Sequence, residues 1–376
     1  MIGESMRILY VDALLHSGKV NSQGRIKAYK KHGKTFIFDY RAVFRKYGKN
    51  LPWSRPEIWH EKDWGSRIFS ALYNMNATLI DFADKVQPDL VQFGKGEVLF
   101  GLTAREIKKR TGAIIVHFYG DLPLEWQQEP VKYWVRDIGR EADLTLLYHW
   151  DASIIRSHLQ AGCNRVGSWG VGADTDIYYP RNIQKIYDVV FIGNNQKEDG
   201  QHRLELFEAL AKSGLEVHVF GGNWEEQVKH KNIHIHGQIY GDTYAEICSS
   251  AGLVLSTSSS KVCGYCSWDR PLRSMACGAP VLCQYFPGLE EVFKTGKHLR
   301  WFRTTREAVK FAHHYLDNQD LRTRIAKAGL QEIQKNHSWD TCIEVLLNHV
   351  DEIKTGHWEK GTGRLRDGTE VKCDTD

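Results

Sequence analysis

The sequence predicts an α/β protein made of two Rossmann-like domains, each a doubly wound parallel sheet with helices on both faces. Three observations carry this prediction. The chain has 376 residues, more than one core comfortably serves, so two domains of roughly 150 to 200 residues are expected. Short β-branched runs alternate with segments of helical period nearly from end to end, as in parallel sheets built from strand–helix–strand units. The alternation breaks once, at "DIYYPRNIQKIY" (176–187), and then resumes with a new strand at "DVVFIG".

The elements follow in order. In the first half, strands are expected at 7–11, 35–38, 90–93, 113–118 and 144–147. Between them Ile68, Leu72, Met75, Leu79, Phe82 and Val86 recur at steps of four and three, which marks an amphipathic helix. The segment "LPWSRPEIWHEKDW" before it reads as an irregular surface loop. In the second half, strands are expected at 189–192, 216–220, 233–236, 253–256, 280–284 and 298–302. These readings set an N-terminal domain at 1–180, a C-terminal domain at 181–337, a terminal helix at 338–355 and a mobile tail at 356–376, where glycine and charge replace any period.

Composition narrows the function classes. A net charge of +4, from 50 basic and 46 acidic residues, suits anionic small ligands and permits a nucleic-acid partner without requiring one. No window approaches the ~18 to 20 apolar residues of a membrane span, and the start lacks a basic leader with a cleavable apolar segment, so a cytoplasmic location is expected. Eight cysteines over this length are too sparse for a disulfide scaffold. Cys263 and Cys266 have metal or redox spacing, and Cys277 and Cys283 could complete a four-thiolate set. Their unequal spacing in an apolar strand region reads instead as packed thiols, so no metal is assigned.

In open parallel sheets, ligands bind beyond the carboxyl ends of the strands, where helix N-termini offer free amides. After the first strand of the second half comes "FIGNNQKEDGQHRLELF": Gly193 ends the strand and Arg203 opens a helix, where a guanidinium can grip a diphosphate as a bidentate fork. The first half begins with "VDALLHSGKVNSQGRI", whose Gly18 and Gly24 bracket a loop. The tight glycine spacing of a dinucleotide fingerprint is missing there, which disfavours a Rossmann dehydrogenase. Near the C-terminal end, Asp269 or Ser267 can cap a helix starting near Pro271, and Ala276 with Gly278 let that helix approach the strand carrying Val281 and Leu282.

The segment "RPLRSMACGAPVL" (270–282) resembles the Arg-x-x-Glu-Ala-x-Ala-Cys-Gly block of GT-B glycosyltransferases, and "PGLEEVFKTGKHLRWF" (287–302) their Gly-x-x-Glu loop and following strand. Together with "FDYR" (38–41), "PDLVQFGKGE" (88–97), "WGVGADTDIYYP" (169–180) and "HSWDTCIEVLLNHV" (337–350), the chain resembles spore-maturation-type (CgeB-like) glycosyltransferases and the wider glycosyltransferase group 1. The resemblance implies the GT-B fold, with two domains facing a cleft, and metal-independent, retaining transfer from a nucleotide diphosphate sugar, a UDP-sugar above all. The donor would sit on the second domain and the acceptor, a glycan or protein, on the first.

Carried onto this sequence, the resemblance places the donor diphosphate at Gly193, Arg203, Lys261, Arg273 and the amides of Gly288 and Leu289. It places the sugar at Glu290 and Glu291, and the base and ribose at Gln238, Ile239, Asp269 and Arg270. His117, Asp121 and Glu290 are the catalytic candidates, and Gly18 and Asn21 an acceptor-side loop. The sequence departs from the pattern at Arg273, where the family has a glutamate for the donor ribose, and at Tyr265, where the wider group has an acid. Three alternatives follow. DNA with hydroxymethylated bases could be the acceptor, with "RIKAYKKHGK" and "RAVFRKYGKN" on the phosphate backbone. The shell could also be an inactive nucleotide-sugar-binding protein, and a sugar epimerase would instead form product from donor alone.

Overall fold

The structure is a computed structural model that describes residues 5–14, 17–49, 51, 64–120, 133–195, 200–224, 230–257 and 269–373. The chain gathers into two units, Met1–Gly170 with Ile343–Asp376, and Val171–Cys342. Unit 1 opens with β1 (Met6–Asp12), α1 (Ser17–His32), β2 (Gly33–Asp39), α2 (Tyr40–Tyr47), α3 (Trp64–Val86) and β3 (Leu90–Gly94). It continues with α4 (Gly101–Thr111), β4 (Ile114–Tyr119), α5 (Tyr133–Glu141), β5 (Leu144–Leu147), α6 (Ala152–Gln160) and β6 (Arg165–Ser168). The expected stripe on α3 is buried at Ile68, Leu72, Met75, Leu79 and Val86, with Ala83 fully enclosed and Phe82 packed at its margin. Asp39 caps α2 by accepting from the Arg41 and Ala42 amides.

Unit 2 runs β7 (Tyr187–Ile192), α7 (Gly200–Lys212), β8 (Val217–Phe220), β9 (Ile233–His236), α8 (Gly241–Ser250) and β10 (Ala251–Ser256). Then come α9 (Asp269–Ala276), β11 (Val281–Gln284), α10 (Leu289–Val292), β12 (Arg300–Phe302), α11 (Thr305–Leu316) and α12 (Gln319–Asn336). Its six strands lie in the order β12-β11-β10-β7-β8-β9, and every paired neighbour is parallel. The order reverses between β7 and β10, which makes that junction the topological switch point. Val189, Phe191, Leu253 and Leu255 form the sheet's share of a core closed by Phe207, Leu210 and Trp224. Gly278 follows α9 at φ +69 and faces Pro180; its missing side chain serves a left-handed helix stop.

The last helix, α13 (Trp339–Lys354), starts in unit 2 and passes into unit 1 from Ile343, followed by β13 (Thr362–Arg364) and β14 (Glu370–Lys372). These strands extend the sheet of unit 1 to the order β14-β13-β6-β5-β4-β3-β1-β2, with only β14 antiparallel to its neighbour. The tail expected to be mobile is therefore built in, as far as it is described. Trp358 is 1% exposed, its carbonyl accepts from Arg165 Nε at 2.6 Å, and the Arg364 guanidinium lies 4.4 Å from its ring centroid. Three-residue strands are too short to show a period, and one tryptophan supplies the burial. The break between units also falls earlier than 180. Ala173 bridges to Ser338, Gly172 lies against Trp339, and Tyr178 is buried, which ties 171–180 to unit 2.

Candidate functional site

The carboxyl ends of β7, β8 and β9 meet around a pocket of about 620 Å³ that is open to solvent and lies wholly in unit 2. Backbone proximity creates it. Gly193 N donates to Phe220 O at 2.8 Å and Gly221 N to His236 O at 3.2 Å, and a side chain on Gly221 would come within 2.1 Å of Gly193 O. Asn194 then joins the three loops, its Oδ1 accepting from Gly222 N at 2.9 Å and Gln238 Nε2 at 3.0 Å. Tyr240 Oη donates to Gln238 Oε1 at 3.2 Å.

Three arginines stand at or behind this pocket, in different states. Arg203 is 3% exposed and is committed to Thr257 Oγ1 at 2.9 Å and Asn194 O at 3.1 Å, so it braces the switch point from behind. Arg273 lines the pocket but holds Asp269 at 2.8 Å, one helical turn away on α9. Arg270 also lines the pocket. It donates to Thr257 O at 3.0 Å, lies 4.8 Å from the Phe191 ring centroid, and would come within 2.7 Å of a side chain on Gly193. Among the described residues no carboxylate sits within ion-pair distance of it, so Arg270 presents the pocket's positive charge.

The far wall is aromatic. Tyr178 and Tyr244 meet edge to face at 5.4 Å, and Tyr244 Oη is 3.1 Å from Ser274 Oγ. Burial raises both phenols above their ordinary pKa, so each stays protonated at neutral pH. The pocket thus combines a cation, an amide side chain, peptide groups and aromatic faces, a combination able to hold a phosphate next to a flat ring.

Of the expected residues, Gly193, Gln238, Ile239, Asp269, Arg270 and Arg273 converge on this pocket, with Arg203 behind it. Gly288, Leu289, Glu290 and Glu291 do not line it. Leu289 is fully buried and its amide, expected to be free for phosphate, donates to Phe286 O at 3.2 Å. Glu290 is exposed and accepts from Tyr285 Oη at 2.9 Å, and Glu291 is exposed beside it. Lys261, Cys263, Tyr265, Cys266 and Asp121 lie outside the described residues. Sequence reading missed Tyr178, Asn194, Tyr240 and Tyr244; only the position of Asn194 after a strand-ending glycine signalled it.

In unit 1, His117 is fully buried on β4, its Nε2 2.9 Å from the carbonyl of Lys95, a residue at φ +58. Burial pulls its pKa down to about 4, so the neutral ring braces the turn after β3 and has no surface on which to meet a substrate. Gly18 and Asn21 are corrected as well: α1 already begins at Ser17, so both are helical rather than parts of a loop. Polar groups unread in the sequence gather instead at the switch point between β1 and β3. Asp12 accepts from Tyr10 Oη at 2.5 Å and Ser22 Oγ at 3.2 Å and lies 3.6 Å from Arg25. Glu97 accepts from Tyr40 Oη at 2.9 Å and Arg41 Nη2 at 3.2 Å. The exposed Lys30, Lys31, Arg45 and Lys46 close the last turns of α1 and α2. Cations there complement the negative end of the helix dipole, which accounts for them without DNA.

Among the described residues no helix is long and apolar enough to cross a membrane, and no His, Cys, Asp or Glu cluster is arranged to hold a metal ion. Cys277 and Cys283 are buried thiols. Both sheets have neighbours among solved structures. Anabaena HepE in complex with UDP-glucose matches at a TM-score of 0.61 with 14% identity, covering 92% of this chain and 100% of that one. A sucrose-phosphate synthase from Thermosynechococcus elongatus matches at 0.61 with 12% identity, covering 93% and 100%.

The fold is GT-B. An α,α-trehalose-6-phosphate synthase from Burkholderia multivorans shares it at a TM-score of 0.59 with 10% identity, covering 94% and 98%. The sequence family described as glycosyl transferase-like matches residues 202–348, a stretch that includes most of the GT-B unit carrying the pocket. No curated protein sequence gives a significant match.

Proposed function

We propose that the chain is a metal-independent, retaining glycosyltransferase that moves a hexosyl group from a UDP-sugar to a glycan or protein acceptor. The observation that carries this reading is Arg270, a guanidinium at the switch point of unit 2 with no carboxylate within ion-pair distance among the described residues, flanked by Gly193 and the Asn194–Gln238 pair. The family match over 202–348 and the likeness to HepE, solved with UDP-glucose, support it. On this reading the diphosphate lies against Arg270, with Arg203 fixing the loop beneath it. Gln238 and Ile239 receive the base, and Tyr178 with the Asp269–Arg273 pair borders the ribose.

The acceptor oxygen bonds to the anomeric carbon as that carbon's bond to the diphosphate oxygen breaks. The diphosphate leaves with the electron pair, and the acceptor's proton passes to the departing phosphate or to solvent. Arg270 meets charge that grows as the bond breaks, so its contribution is larger in the transition state than in the ground state. Lys261 and Glu290 stay in the proposal as further donor contacts, and the Asp12 and Glu97 clusters of unit 1 as the acceptor's polar ground.

The test is a thermal-shift panel of UDP-, GDP-, ADP- and TDP-sugars, then donor turnover with and without glycan and protein acceptors. Stabilisation by UDP-sugars, about 2.7 kcal/mol at one hundred times Kd, with UDP released and sugar transferred is the expected result. Binding without transfer or hydrolysis across all donors would identify a non-catalytic binding protein, and a new nucleotide sugar formed without acceptor an epimerase.

A further inference from the structure

A second cavity, of about 460 Å³, lies beside the edge strand β12, lined by Arg300, Lys310, Phe311, His314 and Tyr315. It shares no residue with the donor pocket, which stands at the other edge of the same sheet. On α11 the four helical residues make two adjacent ridges: Lys310 and His314 are four apart, as are Phe311 and Tyr315, so a cationic ridge borders an aromatic one. Arg300 completes the ring from β12. Its guanidinium carbon lies 3.8 Å from the Phe311 ring centroid, a stacked pose that fixes the plane and leaves the N–H edge to a ligand.

Two further facts mark this as more than a surface crevice. Tyr315 on the same wall is 4% exposed, and Arg300 Nε is buried with no hydrogen-bond partner. Buried polar groups ordinarily have one. Among the described residues, moreover, no carboxylate stands within ion-pair distance of Arg300, Lys310 or His314. The walls present more carbon than polar surface, so a bare inorganic ion would leave most of them uncovered.

We propose that this cavity is a second ligand site, taking a small planar ring compound that carries a phosphate. The ring lies along Phe311 and His314, the phosphate meets the Arg300 fork and Lys310, and the Tyr315 phenol donates to it. An arginine fork beside a lysine favours a phosphate dianion over a carboxylate.

Calorimetric titration of the full chain with phenyl phosphate, benzoate, inorganic phosphate and phenol, with and without UDP, tests this. Phenyl phosphate is expected to bind about tenfold or more tightly than inorganic phosphate or benzoate, with phenol silent and UDP without effect. Arg300→Gln should weaken phenyl phosphate about tenfold, and the exposed-site variant Lys310→Gln, which leaves the core untouched, about threefold. Phe311→Leu should weaken phenyl phosphate while leaving inorganic phosphate unchanged. Displacement by UDP, equal affinity for phenyl and inorganic phosphate, or indifference to Lys310→Gln would each overturn the proposal. Because the readout is binding at α11, it stands or falls apart from sugar transfer.

Discussion

Arg270 donates to the carbonyl of Thr257 at 3.0 Å, pinning the start of α9 to the end of β10. That single bond orients a guanidinium across Phe191 and toward Gly193, at the point where strand order reverses. A charge held in this way is preorganised for an anion and needs no rearrangement to meet it.

Arg270→Ala is therefore expected to weaken UDP binding about tenfold to a hundredfold, in line with about 1.5 to 3 kcal/mol for a hydrogen bond to a charged group. Arg270→Lys should recover little, because an ammonium cannot both reach Thr257 O and present a fork. Titration calorimetry with UDP reads both; affinity within twofold of wild type in Arg270→Ala would remove the cation from the site.

The pocket also depends on two glycines meeting. A methyl on Gly221 would lie 2.1 Å from Gly193 O, whereas one on Gly237 meets nothing within 4 Å. Gly221→Ala is expected to cost on the order of 2 to 3 kcal/mol and to abolish nucleotide binding, while Gly237→Ala leaves both near wild type. Urea unfolding followed by nucleotide titration compares them, and equal midpoints for the two variants would contradict the close approach.

Much of this was legible in the sequence, for identifiable reasons. Central strands such as β3, β4 and β10 are buried runs of mostly apolar residues, and parallel sheets demand such runs. The strands that went unread, β6, β13 and β14, are three or four residues long and hold Arg, Gly, Thr and Lys. Gln238, Asp269 and Arg270 could be found only through the resemblance to GT-B glycosyltransferases, carried onto matching positions of this sequence. Tyr178 and Tyr240 could not, because their place depends on contacts between loops 60 residues apart, for which no spacing rule exists. The cation could be located to two loops, but choosing Arg270 over Arg203 took burial: 3% exposure and two hydrogen bonds to its own loops hold Arg203 in a bracing position.

The C-terminal tail makes a sharper case. Trp358 packs edge to face on His349 at 5.0 Å, and its ring would come within 2.9 Å of a side chain on Gly167. Trp358→Ala should destabilise the protein by about 3 to 5 kcal/mol and expose the 362–373 segment to protease. A urea midpoint unchanged by the substitution, with the tail already cleaved in wild type, would restore the unstructured reading.

Acid should destabilise unit 1. Burial holds His117, His149 and His158 at a pKa of about 4, below the 6.5 of a free imidazole. A folded pKa below the unfolded one means the unfolded chain binds more protons. The stability these rings contribute is thus fully present above about pH 6.5 and lost as pH falls toward 4, by on the order of 3 kcal/mol for each ring by pH 4. Urea midpoints at pH 7.5, 6 and 5 should fall in that order; a flat series would mean that the rings are not buried neutral.

Arg273 separates a charge that lines the pocket from a charge that serves it. It stands where the resembling family carries an acid, so its substitution bears most directly on whether the pocket still works. Its guanidinium is matched by Asp269 at 2.8 Å, and an ion pair presents a phosphate with little net field. Arg273→Ala leaves Asp269 facing the pocket without its partner, so the two losses oppose the ligand together but weakly, because the Asp269 carboxyl is 43% exposed and well screened. UDP affinity should therefore fall only about twofold to fivefold, well short of the Arg270→Ala loss, and the double variant Asp269→Asn with Arg273→Ala should return toward wild type. Loss in Arg273→Ala equal to that in Arg270→Ala would show that the phosphate lies on α9's second arginine, and would move the donor one helical turn along the pocket.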